Sequence, residues 1–254
     1  MVNPGDPRSP YRQVADALRA EITSGALRPG DPIPSNTTIM GRFKISSSTA
    51  QRAVRILVSE GLVQGVPGRG VFVRTKRPFW PEVVTRYLSV PPEGERARWI
   101  TESAKRGRRA DQRITFVGEV EPPEDVADNL RLPEAGTAVV RKRVMLLDDE
   151  PVELVESYYP TDLVRGSPIM EMAKIPRGAY AALLALGYPP RHAHDVVYAR
   201  MPTPDESRAL HLAPGTPVFC IIRTVLSDDD RPITVDVMVL GGDENRLEYE
   251  IPIV

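Results

Sequence analysis

Two groups of residues in this chain have the types and spacing to do chemistry. The first is Ser46-Ser47-Ser48-Thr49 followed by Gln51, Arg52 and Arg55. At helical spacing Ser47, Ser48, Gln51, Arg52 and Arg55 share one outward face, with hydroxyls and unpaired backbone amides at its N-terminal end. Such an end attracts phosphates, because the helix dipole is positive there. Gln51 and Arg52 are long enough to read base edges, glutamine suiting adenine and arginine guanine. The second group lies on a strand. Period-two alternation puts Arg141, Arg143, Met145 and Leu147 on one face, as a solvated arginine pair or as the wall of a ligand pocket. Tyr158, Tyr180 and Tyr198 are either further pocket walls or half-buried core.

The remaining reactive residue types form no comparable pattern. No Ser/His/Asp set, phosphate loop or carboxylate pair is evident, so an enzyme is not expected and no catalytic residue is assigned. His192-Ala193-His194-Asp195 offers two imidazoles without a third ligand nearby. The acidic turns Asp148-Asp149-Glu150 and Asp228-Asp229-Asp230 lack the spacing and closing glutamate of a calcium loop. Neither a metal nor a cofactor is expected. The single cysteine, Cys220, sits in Val218-Phe219-Cys220-Ile221-Ile222 and reads as a buried, inert thiol.

The elements that must position the first group occupy the N-terminal third. Ser9-Pro10 opens a helix with Val14, Leu18 and Ile22 on one face, ended by Gly25. A proline-rich connector over 27–34 follows, and then Ser35 caps a short helix carrying Ile39, Met40 and Phe43 inward. Lys44-Ile45 makes a turn. Ser46 caps a third helix, with Ala50, Ala53, Val54 and Leu57 inward and Gly61 as its stop. Two short capped helices joined by a tight turn read as helix-turn-helix. Residues 62–73 then form a hairpin whose tip, Gly68-Arg69-Gly70, suits close approach to a minor groove.

Charge supports this partition. Of 254 residues 41% are hydrophobic and 26% charged, which provides for a globular core. The net charge of -1 hides an asymmetry: residues 1–78 carry 12 Lys/Arg against 5 Asp/Glu, and residues 79–254 carry 21 against 29. The basic part seeks a polyanion, and nucleic acid is the one that rewards counterion release. Arg74, Lys76 and Arg77 extend its positive stripe. No apolar run reaches the roughly 18 residues of a membrane span. Residues 1–7 show no basic stretch followed by an apolar one, so neither export nor a membrane partner is expected and the protein is read as cytoplasmic.

The acidic part opens with a linker over 76–94, containing Pro81 and Pro91-Pro92 and one short helical turn near 83–88. Residues 95–106 read as a helix with Ala97, Ile100 and Ala104 on one side, and Lys105 to Arg109 as a solvated charge run. An internal echo follows. Pro122-Pro123-Glu124-Asp125, Leu130, Leu132 and Gly136-Thr137 recur as Pro202-Thr203-Pro204-Asp205, Leu210, Leu212 and Gly215-Thr216. Each copy leads through a strand to an acidic turn and a return strand, giving antiparallel hairpins in one sheet. A helix near 178–186 and strands near 190–200 and 246–253 complete the expected α+β unit.

Residues 11–73 resemble the winged helix-turn-helix of the GntR family of bacterial regulators, through Tyr11-Arg12-Gln13-Val14-Ala15, Pro29-Gly30-Asp31, Ile33-Pro34-Ser35, Glu60-Gly61-Leu62-Val63 and Gly68-Arg69-Gly70. The chain departs from that pattern at Asn36-Thr37, Ser46-Ser47 and Gln51, where the family places arginines or Glu-Arg, so its operator sequence is expected to differ. Residues 95–254 resemble the UTRA effector domain of the HutC-type branch. The carrying stretches are Leu132-Pro133-Glu134, Arg141-Lys142-Arg143-Val144, Asp149-Glu150-Pro151-Val152 and Ser157-Tyr158-Tyr159-Pro160. The resemblance implies a chorismate-lyase-like antiparallel sheet that senses a small molecule. Where branch members that sense sugar phosphates have a second arginine and a glutamate, this chain has Met145 and Val155, which implies a less charged, more apolar effector.

The resulting expectation is a ligand-responsive regulator, a repressor by family analogy, that binds a palindromic operator in double-stranded DNA as a homodimer. Its domains would be 1–75 for DNA, 76–94 as linker and 95–254 for effector and dimerisation. The expected DNA contacts are Ser35, Thr37, Ser46, Ser47, Ser48, Thr49, Gln51, Arg52, Arg55, Arg69 and Gly70. The expected effector contacts are Arg141, Arg143, Met145, Val155, Ser157, Tyr158 and Tyr180. A chorismate-lyase-like enzyme and a sequence-blind architectural DNA binder are the competing readings.

Overall fold

The computed structural model describes residues 2–3, 5–66, 68–74, 90–243 and 245–247. Two compact units emerge, Met1–Pro78 with Leu212–Thr216, and Phe79–His211 with Pro217–Val254. The expected helical turn near 83–88, Lys76 and Arg77, and most of the expected strand at 246–253 lie outside the described residues; Arg246 and Leu247 belong to no strand.

The first unit is three helices and a two-stranded hairpin: α1 (Pro10–Thr23), α2 (Asn36–Phe43), α3 (Ser47–Ser59), β1 (Val63–Val66) and β2 (Gly70–Val73). The apolar positions of all three helices converge. Val14, Leu18, Ile39, Ala50, Ala53, Leu57 and Val63 are fully buried in one cluster. The Ser35 hydroxyl caps α2 by accepting the Thr38 amide at 3.2 Å, and the Ser46 hydroxyl caps α3 by accepting the Thr49 amide at 3.3 Å. Ser9 occupies the N-cap of α1 but its hydroxyl does not cap. Its carbonyl instead takes both the Arg12 and Gln13 amides, at 2.9 and 3.2 Å, which removes the donor the hydroxyl would have used. Lys44 turns the chain between α2 and α3 in the left-handed region, at φ 56°. The hairpin pairs Val63 with Val73 and Val66 with Gly70. The proline-rich connector docks along it through the Ile33 amide to the Val71 carbonyl, 3.0 Å.

The second unit is a six-stranded antiparallel sheet of order β3-β4-β5-β8-β7-β6. Its strands are β3 (Ala110–Val120), β4 (Ala138–Leu147), β5 (Glu150–Pro160), β6 (His192–Arg200), β7 (Val218–Leu226) and β8 (Pro232–Gly241). The helices are α4 (Arg98–Lys105), α5 (Glu124–Leu130), α6 (Thr161–Val164), α7 (Ala179–Ala185) and α8 (Pro204–Ala209), with a 3-10 turn at Pro168–Met170. The echo in the sequence is a structural repeat. β3-α5-β4-β5 and β6-α8-β7-β8 are successive copies that meet where β5 pairs with β8. The first hairpin turns on Asp148 and Asp149, at φ 52° and 68°, the mirror-image geometry that matches strand twist. Arg108 and Arg109 pair with these two carboxylates, so the charge run braces a turn.

Strand alternation gives the sheet two different faces. Ala138, Val140, Tyr158 and Val235 pack with Val126 and Leu130 of α5 on one side. Val139, Tyr159, Val225 and Ile233 pack with Leu163, Val164, Ile169 and Leu183 on the other. The helix expected over 95–106 is shorter, with Ala97 as its N-cap. Trp99 Nε1 donates to the Asp111 carbonyl at 3.4 Å, and in this roll Glu102 and Ser103 are buried while Ala104 is exposed.

Candidate nucleic-acid face and effector cavity

In the first unit α3 exposes Ser48, Gln51, Arg52 and Arg55, one face at helical spacing. The hydroxyls at its start are already organised. Ser46 Oγ lies 3.0 Å from Ser48 Oγ and 2.9 Å from Thr49 Oγ1, while Ser47 Oγ accepts the Asn36 side-chain amide at 2.8 Å and Gln51 Nε2 at 3.5 Å. The Arg52 guanidinium stacks over the Tyr11 ring of α1, 4.0 Å from its centroid, so it is held at the α1 edge of the face. Arg55 is exposed and makes no ion pair among the described residues. Ser35 and Thr37 start α2, both exposed. Arg69 and Gly70 are exposed at the hairpin tip, with Arg69 5.6 Å from the Phe72 ring centroid. Arg74 leaves the expected surface stripe: it is buried, its amide closing the base of the hairpin on the Leu62 carbonyl at 3.0 Å. The rest of the expected set therefore shares one unit, and its cations and helix N-termini suit a phosphate backbone.

In the second unit a cavity of about 230 Å³ opens on the sheet face that carries Val139 and Tyr159. β4 contributes Arg143 and Met145, and β5 contributes Glu153, Val155, Ser157 and Tyr159. Across the sheet midline β8 adds Asp236, Met238 and Leu240, and β7 adds Ile221 and Arg223. Residues 97–99 and 177–180, with Pro91 and Leu247, complete the wall. The expected Arg143, Met145, Val155, Ser157 and Tyr180 all meet here. Arg141 and Tyr158 do not. Arg141 is a clasp: it donates to the carbonyls of Ile169, Glu171 and Ala173 at 2.7, 2.6 and 2.7 Å, which turns both terminal nitrogens to the loop and away from the cavity wall. Tyr158 points to the opposite face, because neighbours along a strand alternate, and its hydroxyl donates to Glu156 at 2.6 Å. Tyr198 is exposed on the edge strand β6 and does not line this cavity.

A polar chain runs across the cavity. Arg143 Nη2 donates to Ser157 Oγ, Ser157 Oγ donates to Asp236, and Tyr180 OH donates to the other Asp236 oxygen at 3.2 Å. Burial, and then the Asp236 charge, push the Tyr180 hydroxyl well above the usual tyrosine range. Burial works against the Arg223 guanidinium, yet twin 2.7 Å bonds to Asp195 hold its pKa above that of an ordinary arginine. Glu153 stands apart. Burial pushes its carboxyl up to about 7, the pull of Arg143 and Arg223 notwithstanding, and Asp236 adds a smaller push. Glu153, Asp236 and Trp99 were missed in the sequence. A signal existed for Asp236, a lone carboxylate in the apolar run from Ile233 to Leu240 that falls opposite Ser157 in register.

Among the described residues no cluster of three His, Cys, Asp or Glu forms a metal site, and no helix is long and apolar enough to cross a membrane. Residues 10–73 match the gntR family of bacterial regulatory proteins, and residues 105–246 match the UTRA domain. Among curated relatives, the uncharacterized HTH-type transcriptional regulator SCO4628 of Streptomyces coelicolor is 28% identical, over 97% of this chain and 94% of its own. The HTH-type transcriptional repressor NagR of Bacillus subtilis is 26% identical, over 88% of this chain and 86% of its own. The crystal structure of PhnF from Mycobacterium smegmatis shares the fold, with a TM-score of 0.58 at 21% identity over 95% of this chain and all of that one. The two curated relatives are transcriptional regulators, and the enzyme alternative falls with that finding. With a helix-turn-helix unit and an effector-domain sheet in one polypeptide, the chain belongs to the GntR family of transcriptional regulators and carries a UTRA domain.

Proposed function

We propose that this regulator is a cytoplasmic repressor that binds a palindromic operator as a homodimer, and that a small molecule seated in the cavity beneath Trp99 and Tyr180 alters its affinity for DNA. The observation that carries the reading is the division of labour: an exposed cationic helix face in one unit, and a ligand-sized cavity with a connected polar chain in the other. At the DNA the N-termini of α2 and α3, through Ser35, Thr37, Ser46, Ser47, Ser48 and Thr49, take phosphates. Gln51 and Arg55 reach base edges, Arg52 works from its perch on Tyr11, and Arg69 with Gly70 enters the minor groove. The dimer is supported by the edge strand β6, where Val196, Val197 and Tyr198 are 46%, 38% and 44% exposed. Repression is supported by the printed role of NagR.

The test is a genome-wide binding footprint of the purified protein, followed by release of the bound fragment with candidate metabolites. A coupling of ~1–3 kcal/mol, or 5–150-fold in affinity, is the usual size for such a response. A two-fold symmetric site protected at two half-sites about one helical turn apart supports the dimer on a palindrome. Equal affinity for random duplex supports the architectural binder instead, and failure to retard any genomic duplex at low salt refutes DNA binding.

A further inference from the structure

The chemistry of the cavity wall narrows the class of effector, granted that this cavity is the effector site. Two polar groups on adjoining strands are left without partners there. Arg143 Nε is buried and donates to nothing, although Nη2 of the same guanidinium is engaged by Ser157. The Glu153 carboxyl accepts no hydrogen bond among the described residues, and nearby charges reach it only through space. Register places the two as diagonal neighbours on one face, since Arg143 pairs with Val155 and Met145 with Glu153. They do not close an ion pair with each other. A buried donor left unmade, as at Arg143 Nε, costs about 1–3 kcal/mol, so a ligand that satisfies it gains that much, and Glu153 offers an open acceptor beside it.

Charge selects among ligands that could do this. A cation on Glu153 would enter a cavity that Arg98, Arg143, Arg177 and Arg223 also line. An anion on Arg143 would meet Glu153 and Asp236, and the nearby guanidinium of Arg223 is spent on Asp195, while Arg177, whose Nε is also unpartnered, holds the Pro91 carbonyl through Nη2. A neutral group with a donor beside an acceptor avoids both penalties. The rest of the wall is apolar or aromatic, with Trp99, Met145, Val155, Ile221, Met238 and Leu240, and the volume of about 230 Å³ suits a ring-sized body.

We propose that the cavity recognises an uncharged, ring-sized molecule through an amide or lactam edge, whose N–H donates to Glu153 and whose carbonyl accepts from Arg143 Nε. The experiment titrates the full-length protein calorimetrically with benzamide, benzoate and benzylamine, which share a ring and differ in head group. Benzamide is expected to bind at least tenfold more tightly than either charged analogue. Glu153→Leu and Arg143→Met should each reduce that preference below threefold. Glu153→Gln keeps an acceptor and should restore benzamide to within threefold of the parent, an outcome that recognition of a cation by Glu153 would not give. Benzoate or benzylamine binding as tightly as benzamide, or no benzamide binding up to 10-millimolar concentration, overturns the proposal. A parallel arm uses Val155→Trp and Met238→Trp, each filling the cavity, and measures operator release by a small-molecule extract of the source cells. If both folded variants still respond, the cavity is not the effector site. If both lose the response while benzamide shows no preference, the effector site stands and the amide class falls.

Discussion

Glu153 gives a prediction whose size follows from its surroundings. Its carboxyl is held near 7 in the folded protein against an ordinary value of 4.5, with burial as the main cause. The groups that face it are Arg143 on β4, Arg223 on β7 and Asp236 on β8. Because the folded pKa is the higher one, the folded state holds a proton that the unfolded chain has lost between these two values. Stability therefore falls as pH rises from 4.5 to about 7. Below the window neither state is ionised and there is no penalty; above it the folded state carries the whole cost. At 1.36 kcal/mol per pK unit that cost is ~3 kcal/mol. Glu153→Gln removes the titration and keeps the shape. Urea unfolding of both proteins, followed by circular dichroism at half-unit steps from pH 4.5 to 8, isolates the effect, since the other groups titrate alike in both. The variant should gain on the parent by ~3 kcal/mol across that range, with most of the gain complete by about pH 7.5. A difference that is flat with pH, or that favours the parent at pH 8, would refute the assignment of a desolvated, unpartnered carboxyl.

Other outcomes follow from particular contacts. Arg141→Met leaves the carbonyls of Ile169, Glu171 and Ala173 without their donor, and should lower the stability of the sheet unit by on the order of 3 kcal/mol in the same assay. Ser46→Ala removes the cap of α3 and should cost about 1 kcal/mol, read as a drop in the urea midpoint of the helical unit. Arg55→Ala should weaken operator binding by ~1–3 kcal/mol and relax sequence preference at the base pair it reads; a uniform loss across sequences with the slope of log affinity against log salt reduced by ~1 would move it to a phosphate. Tyr11→Ala removes the ring on which Arg52 rests, so DNA affinity measured by fluorescence anisotropy should fall in Tyr11→Ala and fall no further in the double variant with Arg52→Ala.

The sequence by itself determined the elements and their order. Helical apolar spacing, the serine caps at 35 and 46, the turn at Lys44-Ile45 between them and the glycine-flanked hairpin tip are local signals, and local signals act through neighbours a few residues apart. The repeat was equally legible, because each copy carries its own proline start, Gly-Thr turn and acidic hairpin. Alternation also assigned Arg143 and Met145 to one strand face. What alternation left undecided is which partner a side chain finds there. Arg141 and Arg143 share a face, yet Arg141 is consumed by loop carbonyls some thirty residues along the chain, and Arg143 opens into the cavity. Tyr158 and Tyr159 are adjacent and face opposite ways, and the sequence gives no sign of which face is hollow. Glu153, Asp236 and Trp99 become neighbours only when β4, β5, β8 and α4 assemble. The desolvation that distinguishes Glu153 is a property of that assembled cavity, set by long-range packing that no short window of residues encodes.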